Sequence, residues 1–323
     1  MIKIGNTELK YGLMLAPMAG FSDYAMRRIA HEWGAEYSTT EMVSAKATVY
    51  GDKKTYKLAK ITALEGPCAL QLFGKEPDIM AEAAERLSYA IEGGVSPCAI
   101  DINMGCPVNK IYSNGEGSSL MKNPALIYDI VKATAGATHL PISVKLRLGV
   151  DREHINVIEC ALAAEEAGAS FISVHGRTRV EMYSGKADFE TVADVKQALH
   201  IPLVANGDIT NAETAIDALK TTGADGIMIG RGAIGAPFVF AEIIARLSGE
   251  DYISPSAVVR RETALLQLRY AIEDKGEGVA VREARGQIAQ YFRGFRGCAE
   301  LRAAINRALT YSDVESAINK ICE

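Results

Sequence analysis

Residues 203–232, LVANGDITNAETAIDALKTTGADGIMIGRG, contain two short apolar runs separated by an alanine-rich stretch. Leu203–Asn206 and Gly226–Ile229 have the length and composition of buried strands, and Ala212–Thr221 between them has helical periodicity. Because parallel strands need a long crossover connection, this arrangement predicts a parallel β/α/β unit.

The same pattern recurs along the first three quarters of the chain. The clearest other helical stretches are Asp78–Ile91, Ala125–Ala135 and Ile155–Ala167. Eight β/α units in about 245 residues match the usual size of a (β/α)8 TIM barrel, an α/β fold. The predicted strands are Leu13–Pro17, Glu36–Met42, Cys68–Phe73, Ala99–Asn103, Ile142–Leu146, Phe171–His175, Leu203–Asn206 and Gly226–Ile229.

Polar or glycine-rich sequence follows nearly all of these runs. Such residues add little to a core but suit chemistry, and the active site of a TIM barrel lies at the carboxyl ends of its strands. A doubly wound open sheet would concentrate them at one or two switch points. The distribution therefore favours the barrel.

The strand signal stops after Ile244. The next residues read as a linker in which Ser254 caps a helix and Pro255 takes its first position. The remainder alternates helical patterns with glycine breaks, expected at Gly276, Gly278, Gly294 and Gly297. We therefore predict a barrel domain over residues 1–248 and a small all-α helical bundle over 249–323.

The composition indicates an ordinary globular protein, with 48% hydrophobic and 23% charged residues in 323. No apolar run approaches the roughly 18 residues that cross a bilayer, and the N-terminus lacks signal-peptide features, so we expect a cytoplasmic protein without membrane contact. The six cysteines form no C-x-x-C pair and no zinc-type cluster, which predicts free thiols and no metal.

The net charge of −5 argues against a dedicated nucleic-acid binder, but the charge is unevenly distributed. Residues 282–307 carry six arginines against two glutamates. A local basic face can bind phosphates on a protein that is acidic as a whole. Arg282, Arg285 and Arg293 are therefore candidates for contacts to a nucleic acid.

Glycine loops after the seventh and eighth predicted strands indicate a phosphate site. They contain Asn206-Gly207-Asp208 and Gly230-Arg231. Loops at these two positions of a barrel commonly bind phosphate through backbone N–H groups, and glycine lets the backbone approach the oxygens closely. Arg231 can add positive charge to these loops. We therefore expect a ligand that carries a phosphate.

Polar side chains within strands three, five and six suit a planar anionic ligand. Lys145 and His175 end adjacent strands and predict a cationic pair, which would stabilise the negative charge of a ring such as a reduced flavin. Gln71 lies inside an apolar strand, where its amide needs partners. It fits the edge of such a ring and a buried amide bound to backbone equally well.

Cys106 follows the fourth predicted strand in a Gly-Cys-Pro turn. A thiol there can give or take a proton. Neither a neighbouring histidine nor an oxyanion loop is evident, so we favour a general acid over a nucleophile. Most single cysteines are small core residues. Cys106 is unusual because it lies in a turn between a strand end and Pro107.

Seven strings along the barrel resemble the tRNA-dihydrouridine synthase family, and they occur in the family's order. They are Ala16–Gly20, Gln71–Gly74, Asn103–Pro107, Lys145–Gly149, His175–Arg179, Ala205–Ile209 and Ile229–Gly232. Asp101–Pro107 and the stretch Arg282–Arg302 resemble the bacterial B-type branch in particular. In one departure, Arg285-Gly286-Gln287 stands where many relatives carry Arg-Lys-His, so two potential RNA-contacting groups are absent.

The resemblance implies an FMN-dependent enzyme that uses NADPH, or NADH, to reduce the C5=C6 bond of a D-loop uridine in tRNA. It implies that Cys106 protonates C5, and we expect a monomer. The implied FMN-binding residues are Pro17, Met18, Ala19, Gln71, Lys145, His175, Asn206, Gly207, Asp208, Gly230 and Arg231. The implied substrate-binding residues are Asn103, Arg177, Arg179, Arg282, Arg285 and Arg293.

Three other functions stay open at this point. An FMN barrel oxidoreductase acting on a free pyrimidine has no need of the arginine-rich tail. A catalytically inactive RNA-binding barrel has no need of Cys106, Lys145 and His175 together. A sugar-phosphate aldolase, with Lys145 as its Schiff-base lysine, would not be yellow when purified.

Overall fold

The computed structural model describes residues 1–322, and eight parallel strands in it close into a barrel. The strands are β1 (Leu13–Leu15), β2 (Tyr37–Thr39), β3 (Cys68–Phe73), β4 (Ala99–Asn103), β5 (Ile142–Arg147), β6 (Phe171–His175), β7 (Leu203–Asn206) and β8 (Gly226–Ile229). Each strand pairs with the next one along the chain, and β8 pairs with β1. The TIM barrel with a helical C-terminal region is therefore confirmed.

The two strands that differ most from the prediction are the first two. β1 ends at Leu15 instead of Pro17, because a proline has no N–H to donate to the neighbouring strand. Of the segment predicted as one strand over Glu36–Met42, only Tyr37–Thr39 is strand β2, and a separate two-residue strand, Val43–Ser44, follows it and also pairs with β3. Because β1 ends at Leu15, the residues that follow it lie in a loop at the top of the barrel.

An antiparallel hairpin of Ile2–Ile4 and Thr7–Leu9, which the sequence analysis did not predict, precedes the barrel. Its apolar side chains are fully buried against inward-facing strand residues such as Met14 and Phe171. The Ile2 side chain approaches Gly12 and Gly226, where strands begin. The hairpin therefore closes the amino-terminal end of the barrel.

Ten helices surround or follow the strands up to residue 248. They are α1 (Tyr24–Glu32), α2 (Ala45–Val49), α3 (Lys53–Ala59), α4 (Pro77–Leu87), α5 (Asn109–Ser113), α6 (Pro124–Ala137), α7 (Val157–Glu166), α8 (Phe189–Ala198), α9 (Ala212–Thr222) and α10 (Val239–Ser248). The four predicted helices are present as α4, α6, α7 and α9. Both α4 and α6 begin at a proline, which is favourable at the first helical position.

The C-terminal region is helical, as predicted, but two of its boundaries differ. It consists of α11 (Ala257–Lys275), α12 (Glu277–Ile288), α13 (Cys298–Arg307) and α14 (Tyr311–Cys322). Ser256, and not Ser254, caps α11, because its hydroxyl accepts a hydrogen bond from the N–H of Val259. Gly278 lies inside α12, whereas Gly276 breaks the chain between two helices with φ +77°.

The helical bundle packs on α1 of the barrel through polar and aromatic contacts. The Lys275 ammonium lies 2.7 Å from the Asp23 carboxylate, and the Tyr270 hydroxyl donates to Glu32 at 2.7 Å. The Arg28 guanidinium stacks on the Tyr270 ring at 3.5 Å. The boundary at residues 248/249 stays a prediction. No helix among residues 1–322 is long and apolar enough to cross a membrane.

Candidate active site

A cavity of about 930 Å³ opens at the carboxyl ends of the barrel strands. It brings together most of the predicted site residues, which come from the ends of seven of the eight strands, from the loops after them and from the helical bundle. Those that line it are Pro17, Met18, Ala19, Gln71, Asn103, Cys106, Lys145, His175, Asn206, Gly207, Asp208, Gly230, Arg231 and Arg293. Arg177, Arg179, Arg282 and Arg285 do not line it.

Two glycines form a narrow cradle after β7 and β8. Gly207 has φ +132°, and a Cβ there would lie 2.7 Å from the Cβ of Ala187. A Cβ on Gly232 would overlap the carbonyl oxygen of Ile209. Backbone therefore forms this part of the wall, as a phosphate group requires. The half-exposed Arg231 guanidinium lies beside it, 4.5 Å from the centre of the Tyr183 ring.

The Asp208 carboxylate does not present a free charge to the cavity. It accepts hydrogen bonds from Arg177 at 2.8 Å and from the N–H of Ala187 at 2.8 Å, and it lies 3.7 Å from Arg231. Its backbone has a left-handed φ of +48°. Asp208 thus shapes the loop between Gly207 and the following residues, while its charge is directed at arginines.

Arg177 is buried with 1% of its surface exposed, which corrects the expectation that it contacts the substrate. Its guanidinium donates to the Asp208 carboxylate and to the carbonyl oxygens of Ser184 and Gly185. These bonds tie the loop after β6 to the loop after β7. The physical reason is that the side chain turns inward and pairs with the Asp208 carboxylate at the end of the neighbouring strand.

Lys145 and His175 lie close together, but the predicted cationic pair is wrong for His175. Burial, followed by the charges of Lys145, Arg147, Arg177 and Arg231, lowers the pKa of His175, so its imidazole is neutral at pH 7. Burial, with Arg147 next, lowers the pKa of Lys145 to about 8. The Lys145 ammonium donates to the Asn206 side-chain oxygen at 3.0 Å. Of the predicted pair, only Lys145 is therefore a cation.

A chain of buried polar groups links β3, β4 and β5. The Asp101 carboxylate accepts from Gln71 at 2.7 Å and from the Ser143 hydroxyl at 2.6 Å. Gln71 in turn accepts from the Asn103 amide at 2.9 Å. Burial raises the pKa of Asp101 to about 6. Asp101 was not predicted as a site residue, although a carboxylate inside an apolar strand is a detectable signal.

Cys106 is half-buried at the cavity wall. Burial raises the pKa of its thiol, against the smaller opposing effects of the Val108 N–H and Arg147. The side chain is therefore a protonated thiol at neutral pH. The carbonyl oxygen of Cys106 accepts from the hydroxyl of Ser118 at 2.8 Å, which holds the turn in place.

The remaining predicted arginines occupy different environments. Arg179 stacks on Tyr112 at 3.6 Å and donates to the Asn109 side chain, outside the cavity. Arg282 is exposed on α12. Arg285 donates to the carbonyl oxygen of Ala308 at the end of α13, so its guanidinium contributes to the packing of the bundle. Its expected role as an RNA ligand stays a prediction.

The helical bundle supplies part of the cavity wall, which the sequence analysis did not anticipate. Arg260, Gly286 and Gln290 line it together with the exposed Arg293. The neighbouring Gln287 is buried and accepts from Gln267 at 2.6 Å, so it cannot reach a ligand. The departure at residues 285–287 therefore affects the cavity at Gly286 alone.

The fold and cavity define a TIM-barrel enzyme whose site spans the strand ends and a C-terminal helical bundle. A family model described as dihydrouridine synthase matches residues 14–322. The chain belongs to the dihydrouridine synthase family, which confirms the resemblance and the prediction of an enzyme. Within the described residues, no group of three His, Cys, Asp or Glu side chains could hold a metal ion.

Curated relatives match over almost the whole chain. A probable tRNA-dihydrouridine synthase from Rickettsia conorii is 40% identical over 308 residues, covering 95% of this chain and 92% of the relative. The tRNA-dihydrouridine synthase B of Shewanella oneidensis is 37% identical, with 100% of both chains covered. The solved old yellow enzyme homologue from Zymomonas mobilis covers 80% of this chain and 94% of its own, with a TM-score of 0.53 and 15% identity; it supports the fold alone.

Proposed function

We propose that this chain is an FMN-dependent tRNA-dihydrouridine synthase that reduces the C5=C6 bond of a D-loop uridine with NADPH or NADH as the reductant. The observation that carries the proposal is a single cavity at the strand ends. It is lined by the protonated thiol of Cys106, by the ammonium of Lys145 and by the glycine loop at Gly207. Membership of the dihydrouridine synthase family supports it.

The residues of the cavity fit FMN. A volume of about 930 Å³ is within the range of cofactor sites. At Gly207 and Gly232 a Cβ would meet Ala187 or Ile209, so the wall there is backbone, whose N–H groups can bind a phosphate. The phosphate would be held by Asn206, Gly207, Asp208, Gly230 and Arg231, and the ring by Pro17, Met18, Ala19, Gln71, Lys145 and His175. When bound, FMN supplies the hydride that the reduction requires.

The chain's own groups perform the proton chemistry and the binding. The Cys106 thiol donates its proton from Sγ to C5 of the uracil, since burial keeps that proton in place at neutral pH. The Lys145 ammonium stabilises negative charge at the ring edge, while neutral His175 offers a hydrogen-bonding imidazole without a second charge. Asn103 donates an N–H to the base.

The tRNA has to present its uridine outside the base stack, because a cavity at the barrel's strand ends cannot reach a stacked base. Arg293 lies where the bundle meets the cavity, and Arg282 is exposed on the same bundle. Both can bind phosphates that flank the flipped nucleotide. The proposal includes a monomeric enzyme in the cytoplasm that uses no metal.

The decisive experiment is mass spectrometry of nucleosides from tRNA of a strain lacking the gene, before and after incubation with the purified protein and NADPH. We expect dihydrouridine at a defined D-loop position. A yellow, NADPH-reducible protein that makes no dihydrouridine would instead favour an oxidoreductase acting on a free pyrimidine.

Replacing Cys106 by Ala tests the acid directly. We expect the variant to retain FMN and its reduction by NADPH, but to lose about 99% or more of product formation, since a positioned acid contributes roughly 100-fold or more. Cys106→Ser is the matched control for side-chain size. A fully active Cys106→Ala enzyme would exclude Cys106 as the proton donor.

A further inference from the structure

A continuous line of hydrogen bonds joins a buried carboxylate to the turn that carries Cys106. It runs from Asp101 Oδ2 to Gln71 Nε2 at 2.7 Å, and from Gln71 Oε1 to Asn103 Nδ2 at 2.9 Å. It ends at Asn103 Oδ1, which accepts the backbone N–H groups of Gly105 at 3.3 Å and Cys106 at 2.9 Å. Asp101, Gln71 and Asn103 are all buried.

The direction of every bond in this line follows from its two ends. An ionised carboxylate can only accept, so Asp101 requires the NH₂ end of the Gln71 amide. The Gln71 oxygen then faces Asn103 and requires an N–H from it. The Asn103 oxygen is left for the backbone N–H of Cys106, which can only donate. Carboxylate and backbone thus specify the same orientation of both amides.

This orientation decides what the two amides offer to a ligand. The oxygen of Asn103 is occupied by two backbone N–H groups, and one of its two side-chain N–H groups is donated to Gln71. The other side-chain N–H is left for the cavity that Asn103 lines. Gln71 likewise retains one N–H beyond its bond to Asp101. Such a wall recognises a carbonyl oxygen on the ligand and rejects a ring edge that presents only N–H donors.

We propose that Asp101 is a positioning residue that, through Gln71 and Asn103, holds the Cys106 turn and directs the Asn103 N–H toward the substrate carbonyl. The inference rests on the proposed function for the identity of the substrate. Asp101 does not line the cavity itself: its two carboxylate oxygens bind Gln71 and Ser143, and its charge opposes the burial that lowers the pKa of Lys145.

Two other side chains hold the same turn and limit the expected effect. Arg147 donates to the Gly105 carbonyl at 2.9 Å, and Ser118 donates to the Cys106 carbonyl at 2.8 Å. These contacts fix carbonyl oxygens, whereas the line from Asp101 fixes the N–H groups. Loss of the line therefore loosens the turn without releasing it, and we expect about a tenfold effect on the step that uses Cys106.

Two substitutions at Asp101 separate hydrogen bonding from charge. Asp101→Asn can still accept from Gln71 through its oxygen, while its NH₂ group donates to a rotated Ser143 hydroxyl. Asp101→Leu has a similar volume and no acceptor. Asp101→Ala replaces it if the leucine variant does not fold. Ser143→Ala is the matched control, because it removes a bond to Asp101 outside the line to Cys106.

Each variant is loaded with FMN and measured in two reactions, reduction of the bound flavin by NADPH and formation of dihydrouridine in tRNA. The rate of Cys106 alkylation by iodoacetamide, followed on the Cys106 peptide, reports the turn without tRNA. For Asp101→Leu we expect product formation to fall about tenfold, flavin reduction to change less than about twofold, and alkylation to change severalfold. Asp101→Asn and Ser143→Ala should remain close to the original protein.

The outcomes separate this inference from the proposed function. If the unaltered protein makes dihydrouridine and Asp101→Leu or Asp101→Ala makes it equally fast, Asp101 does not position the turn. Equal losses in Asp101→Asn and Asp101→Leu would show that the charge matters and the hydrogen-bond line does not. If the unaltered protein makes no dihydrouridine, the proposed function fails, and the alkylation rates alone still test the line.

Discussion

Arg177 provides the sharpest test of a role that the structure reassigns. The sequence predicts a substrate contact, whereas the structure buries its guanidinium against Asp208 and two carbonyl oxygens, those of Ser184 and Gly185. Replacement by Met keeps an unbranched apolar chain of comparable reach and removes every donor. The variant leaves the Asp208 carboxylate without its nearest cation, at 2.8 Å.

The expected loss of stability follows from the burial of the pair. Breaking a buried ion pair by removing one partner costs roughly 3–5 kcal/mol, because the other charge stays behind uncompensated. The Asp208 side chain is 35% exposed and keeps the Ala187 N–H and, at 3.7 Å, the Arg231 guanidinium, so the value lies at the lower end, at about 3 kcal/mol. The Gly207–Asp208 loop should also bind FMN more weakly.

The assay is urea unfolding of the FMN-free protein, combined with tRNA retention on filters. Arg179→Met is the control, since Arg179 is half-buried, stacks on Tyr112 and lacks a carboxylate partner in the described chain; we expect a loss below about 1 kcal/mol. A normal free energy of unfolding for Arg177→Met, together with a large loss of tRNA affinity, would refute the reassignment.

Three further predictions concern charge. Because burial lowers the pKa of Lys145 to about 8, its ammonium is charged below that pH and neutral above it. The affinity of the FMN-free protein for FMN, measured by flavin fluorescence, should therefore fall as the pH rises through about 8. Lys145→Met should show no such fall. Glutamate at Arg282 and Arg293 should weaken tRNA binding and reduce the slope of log affinity against log salt by about 1 per lost phosphate contact, with FMN content unchanged. An unaltered slope would remove these arginines from the RNA interface, whereas Arg285→Glu should chiefly lower stability, because Arg285 binds the Ala308 carbonyl.

Much of the fold follows from local sequence. Short apolar runs separated by helical stretches determine the β/α alternation, and helix ends follow the chemistry of single residues, as at Pro77 and Pro124. The hairpin at Ile2–Leu9 was missed because its strands have three residues each, too few to show a period. It forms only because the barrel end offers an apolar surface that it can cover.

The sequence by itself determined the barrel, the polar strand ends and the glycine loops, because apolar runs, helical periodicity and the conformational freedom of glycine are properties of neighbouring residues. Only the tertiary structure decided which charges are free. Arg177 and Asp208 are 31 residues apart in the chain, and the neutral state of His175 results from cations on neighbouring strands and loops. Hydrogen bonding and Coulomb interactions depend on distances in space, which sequence spacing does not specify.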